Sequence, residues 1–291
     1  MTTFSVAGLQ LALAAADNVQ LLLGEVRAAK RRFPWLDMVM LPELACFGPR
    51  IDAAVSLPGV VEARFCELAA ELGIWLLPGT LYERRRGAVY NTAPVIDPAG
   101  RVVARYRKLF PWLPYERGIT AGSDFVVVDV PGVTRLGISI CYDGWFPEVS
   151  RTLAWHGAEV ILHPTLTSSI DRDVELAIAR TNAASNQCYF IDINVAGPMG
   201  VGRSIACGPG GEVLYQAGSG REVIPLRLDL EHLRRCRAEG WQGLGQPLKS
   251  FRDSRVGFPC YPLARRRSPA LRQPGALRQP AAPSGRRDRT R

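Results

Sequence analysis

Histidine is scarce in this chain, and the motifs that would use it are missing. Only His156, His163 and His232 occur, with no HExxH pair among them, which excludes the usual helix-borne zinc hydrolase site. A Walker loop, a GxGxxG turn and a GxSxG elbow are also absent, so phosphate cradles, dinucleotide folds and serine-hydrolase elbows are not indicated. The seven cysteines, at 46, 66, 141, 188, 207, 236 and 260, are scattered with no CxxC spacing. An odd, dispersed set argues against a disulfide framework and a zinc site, and for a reducing cytoplasm. No apolar run reaches the roughly 18–20 residues needed to cross a bilayer. The opening MTTFSVAGLQLALAAADN lacks a basic start and reads as a first strand, not a signal peptide.

Charge is present but badly distributed. Of the net +9, nine arginines against Asp288 lie between Ala264 and Arg291, which leaves about +1 for residues 1–263. That final stretch is rich in Pro, Ala and Arg and offers too little apolar area to build a core. Two units are therefore expected: a folded body over 1–263 and a basic, disordered tail over 264–291. Such a tail could touch nucleic acid or anionic lipid. Solvated disorder is the simpler expectation, so nucleic acid is not an expected partner, nor is a membrane.

The body alternates short apolar strands with amphipathic helices. Strands are expected at Phe4–Gln10, Met38–Leu41, Trp75–Tyr82, Val89–Asp97, Val102–Arg107, Phe125–Val130 and Thr134–Ile140. Further strands follow at Val160–His163, Tyr189–Asn194, Arg203–Ala206, Val213–Gln216 and Val223–Leu228. Asp17 is expected to cap a helix reaching about Arg32, whose Val19, Leu22, Leu23 and Val26 share one face. Helices are also expected at Val60–Leu72, Pro147–His156 and Asp173–Asn186. These elements fit one layered α/β domain with mixed sheets covered by helices.

Chemistry concentrates at strand ends. The stretch LGISICYDGWFPEVSRTL, from Leu136 to Leu153, puts Cys141 at the end of a buried strand and at a sharp turn, with a helix opening at Pro147. Open α/β folds place reacting groups there. Free amides at such a turn can lower a thiol pKa and hold an oxyanion. The alternative is that Cys141 is one more small buried hydrophobe. Glu43, the first ionisable group after the strand MVML, is either a turn residue or a functional acid. Lys108 ends VVARYRK and enters the proline-stiffened loop LFPWLPYERG. A lysine at a strand end is commonly just solvated, but this loop could hold it in a pocket. His163, ending the next strand, is kept as a possible partner for the cysteine.

Three segments carry a family resemblance: LPE around Glu43, YRKLFPWLPYE around Lys108 and Glu116, and ICYDGWFPE around Cys141. They resemble the signature segments of the nitrilase superfamily, the carbon–nitrogen hydrolases. The second segment, the DGxxPE after the cysteine and the later ARTNAASNQCYF are most similar to the aliphatic amidase and formamidase branch. Tyr142 departs from that branch, where a polar or acidic residue is usual. The resemblance spans roughly residues 4–245. It implies a four-layer α-β-β-α sandwich, no cofactor, no metal, and pairing into a homodimer or larger even-numbered oligomer through the helices flanking the cysteine.

It also implies roles. Cys141 attacks an amide carbonyl, Glu43 shuttles the proton, and Lys108 with the main-chain N–H of Tyr142 holds the oxyanion. Glu116 orients Lys108 or the substrate. Trp112, Tyr115, Tyr142 and Trp145 are expected around the substrate, with plain core packing as the alternative for each aromatic. The implied activity is hydrolysis of a small aliphatic amide to ammonia and a carboxylic acid through a thioester. A nitrile or an N-carbamoyl compound is the alternative substrate. A silent family member using its tail on nucleic acid is the remaining alternative, and the intact Glu43, Lys108 and Cys141 argue against it.

Overall fold

The computed structural model describes residues 2–258 and residue 261. The basic stretch over 264–291, and the last residues of the expected 1–263 unit, lie outside the described residues.

Two mixed sheets stack face to face. The first holds β1 (Thr3–Gln10), β2 (Met38–Met40), β3 (Trp75–Leu77), β4 (Leu81–Arg85), β5 (Ala88–Ile96), β6 (Val102–Arg107) and β13 (Glu222–Asp229). Its order is β13-β1-β2-β3-β5-β4, with β6 also paired to β5. The second holds β7 (Val126–Val130), β8 (Thr134–Ile138), β9 (Val160–Thr165), β10 (Tyr189–Asn194), β11 (Ile205–Cys207) and β12 (Val213–Gln216), in the order β12-β11-β10-β9-β8-β7.

Period-two side-chain alternation produces the layers. Val6, Met38, Met40 and Leu77 of the first sheet meet Ile138, Val160, Leu162 and Ile191 of the second in one dry core. The intervening residues Ala7, Leu9, Val39 and Leu76 face the other way, against Leu22, Val26, Phe65 and Leu68. Those come from α1 (Val19–Arg32) and α2 (Val60–Leu72). On the far side, Ile161, Phe190 and Ile205 pack against Val149, Leu153, Leu176 and Ala183 of α3 (Pro147–Trp155) and α4 (Asp171–Asn186). The expected α-β-β-α sandwich is therefore the architecture.

Local departures have local causes. The expected strand Trp75–Tyr82 breaks into β3 and β4 at Pro78-Gly79. Gly79 sits at φ +73, and a Cβ there would lie 2.0 Å from the Pro42 carbonyl oxygen. Only glycine lets the chain that carries Glu43 pass so close. Asp17 is not the cap of α1. Its carboxylate accepts from the Val19 N–H, while Asn18 holds the cap position and ties back to Ala14 and Ala45. Two helices had no counterpart in the sequence reading: α5 (Leu230–Glu239), capped by Asp229, and α6 (Pro247–Asp253). Among the described residues no helix is long and apolar enough to cross a membrane.

The two sheets are tied together beside Cys141 by one buried carboxylate. Asp143 accepts from Tyr106 Oη of β6 at 2.6 Å, from Phe110 N at 2.9 Å and from Ile140 N at 2.9 Å. Burial pushes its pKa up to about 6, even though these donors favour the ionised form. Both oxygens are used as acceptors, and an amide cannot reproduce that. Asp143→Asn should therefore cost about 1–3 kcal/mol, the penalty of a buried donor left without an acceptor. The expected reading is a lower denaturant midpoint at unchanged slope; a midpoint equal to wild type would show that the tie is dispensable.

Candidate active site

The first sheet supplies two of the three expected residues. Glu43 follows β2 across Leu41-Pro42, and its N–H donates to Thr165 O at the end of β9. Leu44, at φ +50, is held by its N–H to Thr80 Oγ1 at 2.9 Å. Lys108 follows β6, its N–H on Asn91 O and its carbonyl receiving the Gly122 N–H. Both side chains are almost fully buried. Lys108 Nζ lies 2.9 Å from Glu43 Oε1 and 2.7 Å from Glu116 Oε2.

Glu116 arrives from the loop after Lys108. It is fixed by the Trp112 N–H, which donates to its Oε2 at 2.6 Å. The loop thus folds back on itself and brings a second carboxylate to the same ammonium. Asn91 on β5 completes the set: its Nδ2 donates to Glu43 Oε1 at 2.8 Å and to Glu116 Oε1 at 3.3 Å. Nothing in the sequence reading singled out Asn91. Its signal was an amide in the middle of the buried strand run VYNTAPV, where β-structure rarely places one.

The second sheet supplies Cys141, one residue-pair beyond β8, at φ +45 and half-buried. A non-glycine residue in that region marks a turn held by its surroundings. Gly144 completes the turn, since a Cβ there would meet His163 Nε2 at 3.0 Å. The His163 ring lies beneath, with Nδ1 2.7 Å from Ser139 Oγ. Burial drives its pKa down to about 3. An imidazole that weakly basic is a poor acceptor for a thiol proton, so the structure gives His163 a packing place. His156 sits at the end of α3, edge-on to Phe125.

Electrostatics follows from two acids and one base in a dry site. Burial raises the Glu43 pKa; Lys108 opposes and Glu116 reinforces the rise. Burial works against the Lys108 ammonium, yet Glu43, Cys141 and Glu116 outweigh it and hold its pKa well above the ordinary value. The Cys141 thiol also stands well above its usual value, through burial first and the Glu43 charge second. This reverses the expectation that turn amides lower it. A raised thiol pKa favours the protonated thiol, and the Glu43 carboxylate, whose charge acts on it, is the acceptor at hand.

A cavity of about 240 Å³ opens over Cys141. Trp112, Tyr142 and Trp145 wall it. Tyr115 does not line it; its ring stacks on Trp112 with centroids 4.2 Å apart. The opposite wall is Leu166, Thr167, Ser168 and Ser169 with Asp171 and Glu175 of α4, none of which the sequence reading had placed at the site. Among the described residues no group of three or more His, Cys, Asp or Glu is arranged to hold a metal ion.

The carbon-nitrogen hydrolase family profile matches residues 5–238. A formamidase of Bacillus cereus is 30% identical over 210 residues, covering 68% of this chain and 63% of that protein. The chain thus spans under two thirds of the length of the curated relatives it matches. An amidase of the nitrilase superfamily from Nesterenkonia sp. superposes with a TM-score of 0.71 at 27% identity, over 82% of this chain and 95% of the other. Mutants of that amidase have been solved in complex with butyramide, and with the acetamide moiety of fluoroacetamide added covalently at the active-site cysteine. A carbon-nitrogen hydrolase from Helicobacter pylori superposes with a TM-score of 0.75 at 24% identity, over 87% and 96%, a likeness of fold. With its profile match, its two-sheet sandwich and Glu43, Lys108 and Cys141 at converging strand ends, the chain belongs to the carbon-nitrogen hydrolases of the nitrilase superfamily, in their amidase and formamidase branch.

Proposed function

We propose that this chain hydrolyses small aliphatic amides through a Cys141 thioester. The observation that carries the reading is the buried Glu43–Lys108–Glu116 ion set facing the nucleophile's turn. The Cys141 sulfur attacks the carbonyl carbon as its proton passes to Glu43. The oxygen gains charge against Lys108 Nζ and the Tyr142 N–H. Glu43 then returns the proton to the leaving nitrogen, and ammonia departs. Water, deprotonated by Glu43, opens the thioester to give the acid and restore the thiol. Glu116 touches no reacting atom in this scheme; it holds Lys108 in place.

The cavity's volume, below the ~300–1,000 Å³ of ordinary ligand pockets, supports a short acyl chain. Its lining contains no Lys or Arg, which disfavours carboxylate-bearing N-carbamoyl amino acids. The butyramide complex of the Nesterenkonia amidase supports the same substrate size. Pairing with a second copy is also proposed, across the outer face of α3 and α4. Val149 and Leu153 are spent on the sheet core; Trp155, Ile170 and Val174 remain exposed.

Ammonia release from propionamide or butyramide tests the central reading. Cys141→Ala should abolish it while leaving the melting curve in place, and activity retained in that variant would remove the mechanism. Because Glu43 must be ionised and its pKa is raised, kcat/KM should fall on acidification starting above the usual carboxylate range; a limb near pH 4 would contradict this. Lys108→Arg keeps charge but swaps a point donor for a planar fork, and should lower turnover by on the order of 10²–10³. A monomer by light scattering at micromolar concentration would rule out the pairing face.

A further inference from the structure

The catalytic ion set is not what a substrate's far end meets. Glu43, Lys108 and Glu116 are absent from the cavity lining, whereas Asp171 and Glu175 belong to it, alongside Trp112, Tyr142 and Trp145. In the mechanism above, the carbonyl oxygen is directed at Lys108 and the leaving nitrogen at Glu43. The acyl chain therefore extends into the cavity, towards α4.

Glu175 is held for that position. Its Oε1 accepts from Thr167 Oγ1 at 2.9 Å and its Oε2 from Arg172 Nη1 at 3.1 Å. Arg172 does not cancel its charge, because the same guanidinium is bound at both ends by Asp192, at 2.9 and 3.1 Å. Two carboxylates share one buried cation, and Glu175 is the one with a cavity face. Its field reaches the nucleophile, where it adds to the rise in the Cys141 pKa. The start of α4 does not turn this wall positive: the N–H groups of Asp171, Arg172 and Asp173 are taken by Ser169 Oγ, Ser169 O and Ile170 O. Asp171 adds a second carboxylate, with Ser169 Oγ 3.0 Å from its Oδ2.

We infer that Glu175, seconded by Asp171 and the facing aromatic walls, selects amides whose acyl chain ends in a cation such as a primary ammonium. This rests on the amide reading and narrows it to a substrate class. A carboxylate wall offers an acceptor and a compensating charge, and indole and phenol faces add attraction to a desolvated ammonium. A chain ending in a carboxylate meets repulsion from the same wall.

Three amides of similar length separate the outcomes on the full-length enzyme: β-alaninamide (cationic), butyramide (neutral) and succinamate (anionic). At low salt, kcat/KM should be about tenfold or more higher for β-alaninamide than for butyramide, what one hydrogen bond to a charged group contributes, and lowest for succinamate. Glu175→Gln should bring the cationic-to-neutral ratio close to one, and Asp171→Asn, at the helix edge, should lower it in part. Equal rates for all three amides in the wild-type enzyme would overturn the inference while leaving amide hydrolysis standing. So would a cationic preference that survives both substitutions. No ammonia from any of the three would overturn the amide reading, and this inference with it. Should Glu175→Gln fail to fold, the wild-type ordering and the Asp171→Asn ratio decide.

Discussion

A lysine ammonium sealed from water needs its charge answered by its neighbours, and everything around Lys108 is arranged to do so. Removing such a group from water costs several kcal/mol, and an ion pair compensates only if its geometry is held. Here Glu43 comes from the end of β2, Glu116 from a loop folded onto its own Trp112 amide, and Asn91 bridges the two acids from β5. Two carboxylates on one ammonium overshoot neutrality. The surplus negative charge holds the Lys108 pKa up, while burial, reinforced by Glu116, raises that of Glu43, which suits Glu43 to the proton-shuttle role proposed for it. The same imbalance that makes the set costly to bury makes it reactive.

The nucleophile obeys the opposite logic. Cys141 is held at positive φ by a turn whose rigidity comes from Asp143 beneath and from Gly144 against the His163 ring. Its thiol pKa is raised, by burial first and by the Glu43 charge second, which favours the thiol over the thiolate. In the proposed mechanism charge separation is made when a substrate is present, as the proton moves to Glu43 while the oxyanion forms against Lys108. A resting thiol is also less prone to oxidation than a thiolate.

Much of this was legible in the residues. Strand ends could be read because polar residues after apolar runs stand out, and the resemblance of three segments to the carbon–nitrogen hydrolases singled out Glu43, Lys108 and Cys141 among them; the layers follow from two-residue alternation. What escaped was of one kind. Asn91, Asp143, Arg172 and Glu175 are buried polar residues inside segments that pattern reading treats as core or as turn, and the first three have partners distant in sequence. Asn91 meets Glu43 48 positions away, and Arg172 meets Asp192 20 positions away. Such pairs leave no local trace; only the fold brings them together. The β3–β4 break was missed for a similar reason, since the obstacle at Gly79 is the Pro42 carbonyl of another segment.

The sandwich also divides labour between its sheets. The residues proposed as proton shuttle, oxyanion cation and orienting acid hang from the first sheet and the loop after β6, and none of them is among the residues lining the cavity. The nucleophile and the wall from Leu166 to Glu175 hang from the second, after β8 and β9 and on the first turns of α4. Asp143 fixes how far apart these two groups stand, because it grips Tyr106 of one sheet and the Ile140 amide of the other. In the proposed mechanism the geometry is therefore set by a tie outside the cavity lining, while the acyl end meets residues of the second sheet and its helix. Changes along residues 166–175 can alter which chain is accepted without moving Glu43 against Lys108.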